Sequence, residues 1–146
     1  MASNITLKSQ FLWVSNQRLF ALVAFALTVG GETARSDAER GWVEKLRKFE
    51  EQVWPGVGFD LDERFPDVAE KKYWARVYHD VARRIFLRRL GDHEVTYWQS
   101  SAIGDAYVIA RMLTRAVQEV ETAWHPETED NREGNEYHEG QINLRA

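Results

Sequence analysis

The sequence predicts an all-α fold: a bundle of four main helices followed by an acidic, partly flexible C-terminal tail. Three observations predict it. Apolar residues recur at spacings of three and four along four segments, the period that lines one face of a helix. The segment boundaries carry helix-start and helix-stop chemistry at Ser36 with Glu39, at Pro55, at Pro66 and at Gly91. From His125 onward the composition turns acidic and almost without aliphatic residues. This divides the chain into a helical domain over 1–124 and a tail over 125–146.

The first helix is expected over about Leu7 to Val29, with Phe11, Leu12, Val14, Leu19, Leu22, Val23, Ala26 and Leu27 as its apolar set. Its second half is apolar nearly all round, as a helix buried in the middle of a bundle is. Gly30-Gly31 is read as its stop, because glycine tolerates the left-handed conformation beyond a helix end. The run Leu19 to Val29 is too short to span a bilayer as a helix. Preceded by Lys8 and Arg18, it also has the shape of a signal-peptide apolar region, an alternative left open beside the buried helix.

The second helix has the clearest start, with Ser36 and Glu39 at capping-box spacing. Trp42, Leu46, Phe49 and Val53 line one face, and Trp54-Pro55-Gly56 ends the helix. The segment Gly56 to Phe65 is a connecting loop, whose Phe59, Leu61 and Phe65 are expected to pack back on the bundle. Pro66 suits the first position of a third helix running to about Leu90, with Trp74, Val77, Tyr78, Val81, Ile85 and Phe86 facing the core. Asp92 to Gln99 is loop or short strand. The fourth helix starts near Ser100 or Ser101 and turns Ala102, Ala106, Leu113, Val117, Val120 and Trp124 inward. In the tail, Ile142 and Leu144 alternate with polar residues and suit a docking segment, while the acidic stretch before them cannot bury enough apolar surface to order itself.

Composition narrows the function classes. The hydrophobic fraction is 44% and the charged fraction 29%, so a packed core is expected. Six tryptophans in 146 residues serve equally as core anchors and as interface hot spots. Most of the aromatics, Trp13, Tyr97 and Trp98 among them, are expected in the core. The formal net charge of -4 disfavours nucleic acid, which needs clustered, uncompensated cations. With no cysteine, disulfides, thiolate nucleophiles and Cys-based zinc sites are excluded. A cytoplasmic location without membrane association is the expectation.

The motifs that carry chemistry fail in turn. His79-Asp80 has the adjacency of a helical phosphohydrolase metal site, but no histidine precedes His79 to complete the ligand set. No Glu-x-x-His pair or His-Glu-x-x-His run occurs. Ser100 and Ser101 lie near His93 and Asp105 without a nucleophile turn. Gly56-Val57-Gly58 lacks the lysine and the strand–helix setting of a phosphate loop. No catalytic residue, metal site or cofactor is therefore expected.

Two charged surfaces remain. Lys72, Arg76 and Arg83 share a stripe of the third helix at about 100° per residue, flanked by Arg84 and Arg88. This basic face is either solvated and paired with the chain's own acids or a docking face. Arg89 projects to the apolar side and is expected to be partly buried and paired. On the fourth helix, Tyr107, Arg111, Arg115 and Gln118 form a second stripe with the residue types of interface centres. The acids Asp60, Asp62 and Glu63, with Glu127 to Glu133, are candidates for contact with a basic partner.

These observations favour non-catalytic binding of another protein. The concrete form is a small acidic inhibitor, such as an immunity protein that blocks a toxin or an anti-defence protein that blocks a nuclease. The binding residues would be Asp60, Asp62, Glu63, Arg76, Arg83, Arg84, Tyr107, Arg111 and Arg115. Two alternatives stay open: a metal-dependent hydrolase built on His79 and Asp80, and a subunit of a structural homo-oligomer.

Overall fold

A computed structural model describes residues 2–52, 58–90, 93–94, 100–121 and 136–137. Among them the chain is mostly helical, but it is not an all-α bundle. It opens with a β-hairpin, β1 (Ala2–Leu7) and β2 (Gln10–Ser15), in the register Ile5↔Leu12 and Leu7↔Gln10. The short strand β3 (Phe59–Asp60) adds parallel to β1, and Glu136–Tyr137, the last strand β6, lies parallel to β2. The mixed sheet has the order β3-β1-β2-β6.

The expected helix over Leu7 to Val29 is therefore two structures. Along the hairpin the buried positions are Ser3, Ile5, Leu7, Gln10, Leu12 and Val14, a strict period of two that belongs to a strand. The outward positions include Phe11 and Trp13, so 11–14 is a continuous apolar run in which the alternation is hidden. The two-residue connection Lys8-Ser9 also lacks the Asn-Gly or Gly signature of tight hairpins. Lys8 supplies the positive φ itself, at 55°. Ser15 ends the hairpin and starts the next element, its hydroxyl accepting from the Arg18 backbone N–H at 3.2 Å.

That element, α1 (Asn16–Thr33), carries the run Leu19 to Val29 and buries most of it, with Ala24 and Thr28 exposed; Leu22, Ala26 and Val29 are fully buried. It also runs through Gly30 and Gly31. Gly30 is a close-approach position and not a stop: a Cβ there would meet Val43 Cγ2 at 3.1 Å and the Tyr73 hydroxyl at 3.2 Å. The Tyr73 hydroxyl in turn donates to the Gly30 carbonyl at 3.1 Å.

Helix α2 (Asp37–Gln52) starts where its capping residues place it. The Ser36 hydroxyl accepts from the Glu39 N–H at 3.1 Å, and the Glu39 carboxylate accepts from the Arg35 N–H at 2.9 Å. After β3 comes one turn of helix, α3 (Leu61–Arg64), capped by Asp60. Phe59, Leu61 and Phe65 are in the core.

Helix α4 (Val68–Phe86) begins two residues after Pro66 and ends before Leu90. Leu87 caps it, Arg88 takes a positive φ of 56°, and Arg89–Leu90 (β4) pairs with His93–Glu94 (β5). The left-handed residue reverses the chain before the expected stop at Gly91 is reached. Phe86 and Leu87 are consequently exposed, and so is Arg89, which was expected to be partly buried. Helix α5 (Ile103–Glu121) packs antiparallel along α4 and forms its most extensive helix contact. Val120, expected inside, is exposed. Val53, Tyr97, Trp98, Trp124, Ile142 and Leu144 lie outside the described residues.

An aromatic chain joins the layers. Phe49 meets Phe59, Phe59 meets Phe65, Phe65 stacks on Trp74, Trp74 meets Tyr73 edge-on, and Tyr73 meets Trp42. It leaves α2 at Phe49, passes the sheet edge at Phe59 and the core at Phe65 and Trp74, and returns to α2 at Trp42. Among the described residues, no helix is long and apolar enough to cross a membrane.

Candidate functional site

The sequence-derived candidates do not gather in one place. Asp60 caps α3 by accepting from the Asp62 N–H at 3.0 Å. Asp62 pairs with the buried Lys71 ammonium at 2.9 Å, which also donates to the Pro66 carbonyl. Glu63 bridges to its neighbour Arg64 at 3.1 Å. The acidic loop thus spends its charge on its own backbone and on α4. Glu127 to Glu133 lie outside the described residues.

The basic face of α4 is laced to acids from three helices. Arg76 reaches Glu39 of α2 at 3.3 Å, and Lys72 reaches Glu121 of α5 at 2.7 Å. Arg83 and Arg84 share Asp80, and Arg84 also bonds Glu32 of α1 at 2.5 Å. The hydrogen bond that Arg84 donates to Glu32 raises the Arg84 pKa above its ordinary value, with desolvation opposing and the nearby Asp80 charge adding. Asp80 is committed to two guanidinium groups, and His79 beside it is exposed. Among the described residues, no three His, Asp or Glu side chains converge in a metal-binding group.

On α5, Tyr107 is buried, with its ring 5.8 Å from that of His79. Arg111 and Arg115 are half-buried further along the helix. Tyr107 therefore works in the α4–α5 contact, below the surface that Arg111 and Arg115 reach.

The geometry singles out a different surface. Helix α2 lies over α1 and touches α4 sparingly, so it stands away from α5. The gap is an open groove of about 590 Å³ with α4 as its floor. Trp42 forms one wall, Ala69, Tyr73 and Ala75 the floor, and Thr114 and Val117 the far wall. The small side chains of Ala69 and Ala75 keep that floor low. The groove is mainly apolar, with Lys72, Gln118 and the Arg76–Glu39 pair at its rim. A second, more polar hollow of about 330 Å³ lies beyond that pair, lined by Val29, Thr33, Arg35, Asp80 and Arg83. Arg76, Glu39 and Tyr73 belong to both, so the Arg76–Glu39 bridge is the divide between them. Beneath it, burial raises the Tyr73 pKa above 10.0, partly offset by a hydrogen bond from Thr33.

Of the sequence candidates, Arg76 lines the apolar groove with Lys72 and Gln118 at its rim, and Arg76, Asp80 and Arg83 line the polar hollow. Trp42 and Val117 carry a helical-period signal that reads simply as core. Their role as groove walls follows from the separation of α2 and α5, which is a property of packing. No family model, no curated protein and no solved structure matches this chain.

Proposed function

We propose that this chain acts by binding another protein, without catalysing a reaction, and that the groove over α4 is the contact surface. The groove carries the reading. Its apolar floor is ringed by charges already neutralised by one another, Arg76 with Glu39 and Lys72 with Glu121. That is the apolar centre and polar rim of a protein interface. A partner entering it desolvates alanine, tryptophan and valine surface without stripping an unpaired charge, so the cost of burying ions is avoided.

The concrete form we favour is an inhibitor, an immunity protein facing a toxin or an anti-defence protein facing a nuclease. Its support is the net charge of -4, which speeds encounter with a basic target. The groove supplies the apolar grip.

The experiment is co-purification from the native host with groove-filling variants. The wild type is expected to recover a stoichiometric partner, and Thr114→Arg, on the exposed wall, to reduce recovery about tenfold or more. Ala75→Arg on the floor is expected to do the same. Circular dichroism checks that both variants fold. Recovery of no stoichiometric partner by the wild type, or undiminished recovery by folded variants, refutes the reading.

A further inference from the structure

Each cation of α4 from Lys71 to Arg84 has an acid at ion-pairing distance. Arg88 and Arg89, just past the helix end, are both exposed; Arg88 has no ion pair among the described residues, and Arg89 stands opposite Glu94 in the β4–β5 ladder. Beside them Phe86 and Leu87 are 70% and 57% exposed. The negative end of the helix dipole accounts for cations here. It does not account for two large apolar side chains held in water next to them, on a turn where Arg88 keeps a positive φ.

The opposite pole carries the complement. Helix α2 runs antiparallel to α4: Glu39 meets Arg76, and six residues later Lys45 meets Glu70. Its last turn therefore extends beyond the start of α4. Glu50 and Glu51 sit in that turn, at the negative end of a helix with no basic residue in its last turn. Neither has a cation partner among the described residues. Asp67, just before α4, adds a third acid at this end, while Lys48 of α2 is a cation without an ion pair among the described residues. Next to Phe49 a mainly apolar depression of about 60 Å³ opens, lined by Leu46, Phe49 and Phe65 together with Lys45, Glu63 and Arg64, whose guanidinium lies 4.1 Å from the Phe49 ring centroid.

One pole thus presents apolar tips beside two exposed arginines, and the other a small, mainly apolar depression beside two glutamates that have no ion pair among the described residues. The 19 residues of α4 hold them roughly 28 Å apart at 1.5 Å per residue, so they cannot meet within one chain. We propose that two copies of this chain associate head to tail, with Phe86, Leu87, Arg88 and Arg89 of one docking on the Leu46–Phe49–Glu50–Glu51 end of the next. Arginine fits this use because its planar fork pairs with carboxylates in two parallel bonds. The contact uses different patches on the two copies, so it leaves a free pole at each end and builds rings or chains. It uses none of the residues that line the α4 groove, and it stands or falls apart from the groove reading.

The test is sedimentation velocity of the full chain over about 10 to 300 µM, at about 50 mM and about 500 mM salt. The wild type is expected to self-associate with rising concentration at low salt and to dissociate at high salt. Arg88→Glu with Arg89→Glu, and separately Glu50→Arg with Glu51→Arg, are each expected to weaken association about tenfold or more. Mixed in equal amounts the two variants regain complementary poles, and the mixture is expected to associate more tightly than either variant alone. A monomeric wild type throughout the range at low salt overturns the proposal. So does association that survives both reversals, or a mixture of folded variants that stays monomeric.

Discussion

Arg18 and Asp105, 87 residues apart in sequence, meet at 2.8 Å and tie the third residue of α1 to the third residue of α5. The carboxylate is fully buried and the arginine side chain is 16% exposed. Neither position makes sense alone, since a cation in the first turn of a helix opposes the dipole and a buried carboxylate is costly. Together they fix where the two helix starts lie. Arg18→Ala takes a charged hydrogen-bond partner from this buried carboxylate, so it should cost about 1.5–3 kcal/mol in urea unfolding. The joint change Arg18→Met with Asp105→Leu should recover most of that. A loss below about 1 kcal/mol for Arg18→Ala would show that the pair holds nothing in place.

The adjacent glycines of α1 should respond in opposite directions. At Gly30 a new Cβ would crowd Val43, the Tyr73 hydroxyl and the Trp74 ring, pushing α1 off α2 and α4. Gly30→Ala is therefore expected to destabilise by about 1–3 kcal/mol, as overpacking does. At Gly31 nothing lies within 4 Å, and the residue is exposed inside a helix. Gly31→Ala should stabilise by about 1 kcal/mol through helix propensity. Thermal unfolding of both variants settles whether Gly30 is a packing residue or a helix breaker.

The same pair shows how far the sequence could be read. Glycine after an apolar helical run signals a stop, and only the position of Tyr73, 43 residues away, turns Gly30 into a contact. Signals within one turn of chain survive well: Ser36 and Glu39 cap α2, and Phe59, Leu61 and Phe65 fold into the core. The hairpin is missed because Phe11 and Trp13 put apolar side chains on its outer face as well as its inner one. A run that is apolar on both faces loses the period that separates strand from helix. The groove is missed for a further reason. Trp42, Ala75 and Val117 each look like ordinary core positions, and the gap between them depends on how α2 and α5 diverge.

The tight turn of the hairpin stores strain at Lys8, whose φ of 55° disfavours any side chain with a Cβ. Lys8 is exposed and makes no ion pair among the described residues, so removing its side chain sacrifices no contact. Lys8→Gly should stabilise by about 1 kcal/mol, whereas Lys8→Val, β-branched at positive φ, should destabilise. Chemical denaturation of the two variants tests this. Equal stability of both would mean that the turn relaxes to another conformation in solution.

Tyr78 should link stability to alkaline pH. Its ring is fully buried on α4, and its hydroxyl has no hydrogen-bond partner among the described residues. Burial strongly raises its pKa above 10.0, because the phenolate would lose its hydration. The folded chain therefore holds a proton that the unfolded chain releases once pH passes about 10. Above that pH the unfolded state binds fewer protons, so stability falls as pH rises, and below it Tyr78 contributes no slope. Tyr73, also raised by burial, adds in the same direction. Tyr78→Phe removes the ionisable group and a buried hydroxyl together. At pH 7 it should be neutral or stabilising by up to about 1 kcal/mol, since no hydrogen bond is lost. Its advantage over the wild type should then widen between pH 9 and pH 11 in urea unfolding. A gap that stays constant over that range would place the Tyr78 hydroxyl in contact with water, and a variant less stable at pH 7 would give it a hydrogen-bond partner in the native protein.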